Sequence, residues 1–146
     1  MYLPMSVELI GDISNMIRVC TSGYFNPLHV GHIKLLEEAS KLGGHLIVIV
    51  NNDEQVKLKG SKSFMNEIER CVIIKALRCV DEVILSIDTD KTICKTLEMV
   101  RPNIFVKGGD STMDNIPELD IINKLRINLK LGIGGDKIQS SSWLLS

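Results

Sequence analysis

"IRVCTSGYFNPLHVGHIKLLEEASKLGGHLIVIVNN", residues 17–52, decides the fold, because it has the pattern of a strand, a helix and a second strand in turn. Residues 17–25 form a strand-like run that ends in a glycine turn. Residues 26–43 have helical spacing, with Asn26 suited to the N-cap and Pro27 to the first helical position. Residues 45–52 are a continuous apolar run of strand length, which is typical of a strand buried on both faces. This unit predicts a parallel sheet.

The rest of the chain repeats the alternation of strand-like and helix-like stretches. Strands are predicted at 81–87, 103–110 and 130–134, helices at 66–80, 89–101 and 116–129, and a lysine-rich loop at 53–65. We therefore expect an α/β protein with a doubly wound, Rossmann-like parallel sheet of about five strands and helices on both faces. Such sheets bind ligands at the carboxyl ends of their strands. Residues 1–16 are expected to form an N-terminal extension and residues 17–146 a single domain.

The composition excludes several classes of function. The 146 residues are 45% hydrophobic with a formal net charge of −1, so no basic stripe indicates a nucleic-acid partner. No apolar run approaches the roughly 18 residues of a membrane span, so no membrane partner is expected. The four cysteines form no CxxC pair, which favours reduced thiols and a cytoplasmic location.

Two of the three histidines, His29 and His32, lie three positions apart at the start of the first predicted helix, with Gly31 between them. Residues three apart share a helix face, and a helix N-terminus attracts anions. Gly31 carries no side chain that would block a phosphate, although a glycine inside a helix costs about 1 kcal/mol relative to alanine. The pattern therefore favours a polyphosphate site.

Two other interpretations of the histidine pair stay open. Histidines at this spacing can ligate a metal, although a structural zinc takes four ligands and no cysteine spacing supports one. They can also be ordinary surface residues. The usual phosphate-binding motifs, GxGxxG and GxxxxGK[ST], do not occur in the sequence.

"GYFNPLHVGH", residues 23–32, resembles the pattern G-x-F-[DN]-x-x-H-x-G-H of the HxGH nucleotidyltransferase superfamily, in its cytidylyltransferase-like branch. The resemblance extends over most of the chain from about residue 18. "VKGGD" (106–110) is similar to heptose-phosphate adenylyltransferases, whereas "GHIKLLE" (31–37) and "RCVDEVI" (78–84) are similar to glycerol-3-phosphate cytidylyltransferases. Archaeal FAD synthetases are a third similar group.

The resemblance implies roles for particular residues. His29, His32 and Lys59 would be catalytic. Two weaker candidates for substrate contacts come from the residues themselves: Arg70 could reach a phosphate or form an ion pair on its helix, and an acceptor phosphate would explain Lys91, a cation near a helix start. No residue is assigned to a metal. The nucleotide would be bound by the glycine turns, the first turn after the first strand and a serine triplet, namely Gly23, Tyr24, Phe25, Asn26, Gly31, Gly108, Gly109, Asp110, Ser140, Ser141 and Ser142.

The resemblance also implies a reaction. A nucleoside monophosphate would pass from ATP or CTP to a phosphorylated small-molecule acceptor, with release of pyrophosphate and without a covalent enzyme intermediate. A sugar-phosphate adenylyltransferase is the leading interpretation. Alternatives are a glycerol-3-phosphate-type cytidylyltransferase, an FMN adenylyltransferase and a catalytically silent nucleotide-binding protein. Mg²⁺ is implied by the triphosphate, which supplies most of its ligands together with water, and a homodimer is implied by the family.

Overall fold

A computed structural model describes residues 16–109 and 115–135 of the chain. Helices and strands alternate along it, as the sequence predicts. In chain order they are β1 (Arg18–Gly23), α1 (Val30–Ser40), β2 (His45–Val50), α2 (Asp53–Leu58), α3 (Glu67–Lys75), β3 (Glu82–Leu85), α4 (Cys94–Val100), β4 (Ile104–Gly108), α5 (Leu119–Lys124) and β5 (Asn128–Ile133).

The strands form one five-stranded sheet in the order β3-β2-β1-β4-β5, and every neighbouring pair is parallel. The expected doubly wound, Rossmann-like sheet is therefore confirmed. From β1 the chain proceeds outward to β2 and β3, and then returns to place β4 on the other side of β1. The crevice beside the carboxyl ends of β1 and β4 is thus the point where ligands bind in sheets of this kind.

The sheet is covered on both faces, which explains the apolar runs in the sequence. On one face α1 and α3 bury Leu36, Ala39 and Ile74 against alternate strand residues such as Val48. On the other face, α4 and α5 pack against the strand residues that point the opposite way. The helix-side residues of this layer are Ile93, Leu97, Val100 and Ile122. Successive residues of β2 point to opposite faces, so both layers of the core draw on the same short strand.

Several predicted element boundaries are wrong; for example, the helix predicted at 116–129 ends at Lys124, and residues 128–129 belong to β5. The first helix begins at Val30 rather than at residue 26, because His29 and not Asn26 is its N-cap. Residues 53–58 of the predicted loop form α2. Asn52 caps that helix, and Gln55 completes a capping box with it, which stabilises a helix in this lysine-rich stretch.

Candidate active site

His29 and His32 together cap the N-terminus of α1. The Gly31 N–H donates to Nδ1 of His29, and the His29 N–H donates to Nδ1 of His32, each over 3.1 Å. The two rings stack with their centroids 3.7 Å apart. An Nδ1 that accepts a hydrogen bond carries no proton, so each neutral ring carries its proton on Nε2. The capping contacts therefore orient both imidazoles as Nε2–H donors.

This arrangement changes one expectation about the helix start. The sequence suggests that unoccupied backbone N–H groups would receive an anion there, but the N–H groups of His29 and Gly31 donate to the imidazoles instead. The hydrogen-bond donors at the positively polarised end of the helix are thus the two ring N–H groups. Imidazoles reach farther from the backbone than amide groups do, so an anion bound by these rings would lie above the helix rather than against it.

His32 is held in its neutral form. Burial, then the neighbouring His29 and the Lys59 ammonium, lower the pKa of His32 to about 3. The edge of the Phe25 ring packs against it at a centroid distance of 4.9 Å. A neutral imidazole at physiological pH is suited to donate a hydrogen bond to a phosphoryl oxygen, and it carries no extra proton to give to a leaving group.

Gly23 and Phe25 shape the turn between β1 and the histidines. Phe25 has a left-handed φ of 49° and folds its buried ring back over Gly23. A Cβ at Gly23 would lie 2.9 Å from Cζ of that ring, so any larger residue would displace the ring. The Phe25 side chain is therefore part of the core, and any contact of Gly23 or Phe25 with a nucleotide would have to come from the main chain.

The side chain of Asn26 makes two hydrogen bonds to the protein backbone. It is buried, its Nδ2 donates to the Lys62 carbonyl over 2.7 Å, and its Oδ1 accepts from the Phe64 N–H over 2.6 Å. These contacts fasten residues 62–64 to the turn that precedes the histidines. These contacts occupy the Asn26 amide, so the predicted contact of Asn26 with a nucleotide would have to come from its main chain, and it stays a prediction.

Lys59 lies beside the histidines, as its match to the family motif implies. It is exposed at the C-terminal end of α2, and its Nζ lies over the Tyr24 ring, 4.3 Å from the centroid. Its charge also contributes to the low pKa of His32. Lys57 differs, because its Nζ pairs with Glu54 over 3.3 Å on the exposed side of α2. The structure therefore brings together His29, His32, Tyr24 and Lys59.

Arg70 does not line this surface. Its side chain has no exposed area and pairs with Asp53 over 2.8 Å. The remaining guanidinium nitrogens donate to backbone carbonyls of Tyr24, Asn51 and Met65. These carbonyls and Asp53 occupy the guanidinium group, so Arg70 forms an ion pair, and its contact with the substrate stays a prediction. Arg70 thereby joins the turns that follow β1 and β2 to the start of α2.

The other expected site residues divide into two groups. Gly108 ends β4, where a Cβ would lie 3.0 Å from Leu35 of α1, and Gly109 follows with a φ of 60°. Lys91 is exposed in the loop that precedes α4. The remaining predicted nucleotide-binding residues lie outside the described residues, namely Asp110, Ser140, Ser141 and Ser142.

Sequence reasoning missed two buried polar residues at this edge of the sheet. Nε2 of Gln55 donates to the carbonyls of Asp90 and Thr92, each over 2.8 Å, which ties the loop after β3 to α2. The spacing of Asn52 and Gln55 is typical of a capping box, and this pattern could have revealed the role of Gln55. Glu118 is also buried, and one carboxylate oxygen accepts from the Ile93 N–H over 3.0 Å. No local pattern distinguishes Glu118 from a surface acid.

Within residues 16–109 and 115–135, no three His, Cys, Asp or Glu side chains come together as a metal site. In the same part of the chain, no helix has the length and apolar character needed to cross a membrane.

Comparison with known proteins identifies the family. Residues 20–131 match the family described as Cytidylyltransferase-like. The chain belongs to this family of nucleotidyltransferases. An FAD synthase of Thermoplasma volcanium is 38% identical over 116 residues, which are 80% of each chain. A D-beta-D-heptose 1-phosphate adenylyltransferase of Bordetella bronchiseptica is 41% identical over 107 residues, which are 71% of this chain and 65% of that enzyme.

A solved structure supports the same family fold. The chain is similar to the crystal structure of the lipopolysaccharide core biosynthesis protein from Thermoplasma volcanium, with a TM-score of 0.70 and 37% identity. The likeness covers 81% of this chain and 95% of that one. By contrast, the chain spans only 20–21% of the bifunctional proteins named HldE that it also matches.

Proposed function

We propose that the protein transfers an adenylyl group from ATP to the phosphate of a phosphorylated small molecule and releases pyrophosphate. The observation that carries this proposal is the stacked imidazole pair on the N-terminus of α1, in which His32 is neutral and lies within electrostatic reach of the Lys59 ammonium. Two ring N–H donors, one cation and a helix N-terminus form an array that favours a polyphosphate.

The reaction proposed here needs positioning and charge stabilisation rather than a nucleophilic side chain. A phosphate oxygen of the acceptor attacks the α-phosphorus of ATP in line, a bond to that oxygen forms, and the bond to pyrophosphate breaks. His29, His32 and Lys59 would hold the triphosphate and stabilise the charge that develops on its oxygens. Because each imidazole donates from Nε2 in its neutral form, no proton has to move within the pair.

Magnesium fits this site only as a companion of the nucleotide. The described residues provide no carboxylate cluster near the histidines, and Mg²⁺ commonly takes most of its ligands from phosphates and water. When bound, the ion would neutralise part of the triphosphate charge. The protein groups proposed to share that task are the two Nε2–H donors and Lys59.

The names of the relatives favour ATP over CTP as donor. One is an adenylyltransferase, and the other makes FAD, which contains an adenylyl group. We propose a sugar phosphate as the acceptor, because "VKGGD" places two glycines at the carboxyl end of β4 and the chain has few aromatic residues to pack a flavin. FMN is the second candidate, because the similarity to the FAD synthase covers 80% of both chains.

Pyrophosphate release over a grid of donors and acceptors tests this proposal. ATP and CTP would each be combined with a heptose 1-phosphate, glycerol 3-phosphate and FMN. We expect release with ATP and a sugar phosphate. Calorimetry gives an independent check, in which CTP binding about tenfold tighter than ATP binding, or ~1.4 kcal/mol, would contradict the choice of donor.

We also propose the homodimer that the family implies. Ile68 and Val72 lie one turn apart on α3 and are 61% and 63% exposed, which gives an apolar surface that an interface would cover. Sedimentation of the purified protein should give the mass of two chains. A single-chain mass at micromolar concentration would contradict this part of the proposal.

A further inference from the structure

Glu118 has a buried carboxylate that is only half satisfied. The residue is 4% exposed, and its Oε2 accepts from the Ile93 N–H over 3.0 Å. Its Oε1 is buried and has no hydrogen-bond partner among residues 16–109 and 115–135. A buried polar atom without a partner costs about 1–3 kcal/mol, and more if it is charged. An acceptor in this position therefore calls for a donor from outside the described residues.

Glu118 lies at the binding edge of the sheet. It immediately precedes α5, and its partner Ile93 immediately precedes α4, so both residues are reached after the carboxyl ends of β4 and β3. Ile93 packs in the core layer on the face of the sheet opposite α1 and α3. Burial, and then the Glu118 carboxylate, raise the pKa of Tyr24, whose ring lies under Lys59. The carboxylate therefore lies within electrostatic reach of Tyr24, and its hydrogen bond to Ile93 holds it beside the core layer on the other face of the sheet.

The geometry of the transfer assigns a ligand to this face. In an in-line displacement the attacking oxygen and the leaving pyrophosphate lie on opposite sides of the phosphorus. If the pyrophosphate portion lies on α1, the attacking oxygen of the acceptor lies on the side of the phosphorus away from α1, and α4 and α5 cover the opposite face of the sheet. A carboxylate oxygen repels the acceptor phosphate but accepts a hydrogen bond from a hydroxyl group.

We propose that Oε1 of Glu118 accepts a hydrogen bond from a hydroxyl group of the acceptor substrate, so that Glu118 selects polyhydroxylated phosphate esters. This inference rests on the proposed function and adds the chemical class of the acceptor. Sugar phosphates, polyol phosphates and the ribityl chain of FMN all carry such hydroxyl groups. The competing hydrogen-bond donor is an amino group of the nucleotide base. In that case a substitution of Glu118 would change the KM for ATP rather than the KM for the acceptor.

The first arm of the test compares Glu118→Gln with the wild type. Glutamine keeps an oxygen for the Ile93 N–H, so the variant should fold, which its melting temperature checks. We expect the KM for the acceptor to rise about tenfold or more, because a charge-assisted hydrogen bond is lost. The KM for ATP should stay within about twofold. Asp120→Asn is the matched control, because it makes the same change at an exposed residue two positions farther along.

The second arm uses acceptors that each lack one hydroxyl group. For one analogue, kcat/KM should fall about tenfold in the wild type but only about threefold or less in Glu118→Gln, which shows that the hydroxyl and the carboxylate act together. Deoxy analogues of a sugar phosphate and of the FMN ribityl chain are run in parallel to identify the source of the hydroxyl. A merely structural role of Glu118 would lower both rates by the same factor.

The outcomes separate this inference from the proposed function. If no acceptor supports pyrophosphate release by the wild type, the proposed function fails and the inference fails with it. If the wild type is active but Glu118→Gln has unchanged acceptor KM, or changes only the KM for ATP, the inference alone is refuted. The inference would also be refuted if the deoxy analogue lowered kcat/KM by the same factor in the wild type and in Glu118→Gln.

Discussion

Lowering the pH from 7.5 to 5.5 should destabilise the protein through His32. Its pKa is lowered from 6.5 to about 3 in the folded state, by burial first and then by His29 and Lys59. Between pH 6.5 and about 3, His32 therefore binds a proton in the unfolded chain but not in the folded chain. The contribution of His32 to stability is complete above pH 6.5 and is lost progressively as the pH falls towards 3.

The size of the effect follows from the unfolded state. At pH 5.5, about one unit below the ordinary pKa of histidine, protonation of the unfolded chain lowers the free energy of unfolding by about 1.4 kcal/mol relative to pH 7.5. The same value holds for any folded pKa well below 5.5. Urea unfolding of the wild type and of His32→Asn at both pH values measures it, because asparagine keeps an acceptor but does not titrate.

The difference between the two proteins isolates His32 from the other titrating groups. The wild type should lose about 1.4 kcal/mol more than His32→Asn over this pH step. Equal losses in the two proteins would mean that His32 takes up a proton in the folded state, and the neutral Nε2–H donor inferred from the capping contacts would then be wrong.

Three further changes probe the residues around the histidine pair. Lys59→Met should lower kcat/KM about tenfold or more, because the Lys59 charge acts on His32. Lys57→Met and Lys62→Met should change kcat/KM by less than about twofold, because Lys57 pairs with Glu54 and Lys62 is exposed. Equal, small losses would mean that the lysines form only a charged surface. Arg70→Met should lower the free energy of unfolding by about 3–5 kcal/mol, because it leaves Asp53 and three carbonyl groups without their partner, and the exposed Arg78→Met serves as the control in the same denaturation experiment. Gly23→Ala should cost about 1–3 kcal/mol, because its Cβ would overlap the Phe25 ring; unchanged thermal stability would show that the ring moves freely.

The sheet could be predicted from the sequence, because strands buried on both faces leave an unmistakable apolar run. Residues 45–50 are the clearest example, since five of the six are buried in β2. The start of α1 could not be predicted, because Asn26 and Pro27 have the pattern of a helix start whereas histidine is not a preferred N-cap. Only the paired contacts of His29 and His32 show where the helix begins.

The candidate site was predictable where a short motif carries it and not where distant segments meet. His29, His32 and Lys59 match a local pattern, and the structure places them together. Arg70 could equally have contacted a phosphate, because the sequence does not show that carbonyl groups from three separate turns converge on its guanidinium. Glu118 becomes noticeable only when its second oxygen is found buried without a partner among the described residues.

The rate of adenylyl transfer in His29→Ala and His32→Ala tests the central claim most directly. At saturating ATP and acceptor, each variant should transfer about 10²-fold more slowly than the wild type, because each loses one preorganised donor to the transferring phosphate. Each should also lose about 1 kcal/mol of stability with its capping contact, so rates are measured well below the melting temperature. His45→Asn, at the opposite end of the sheet, should keep the wild-type rate. Alanine variants that transfer within about threefold of the wild type would contradict the assignment of the reaction to the histidine pair.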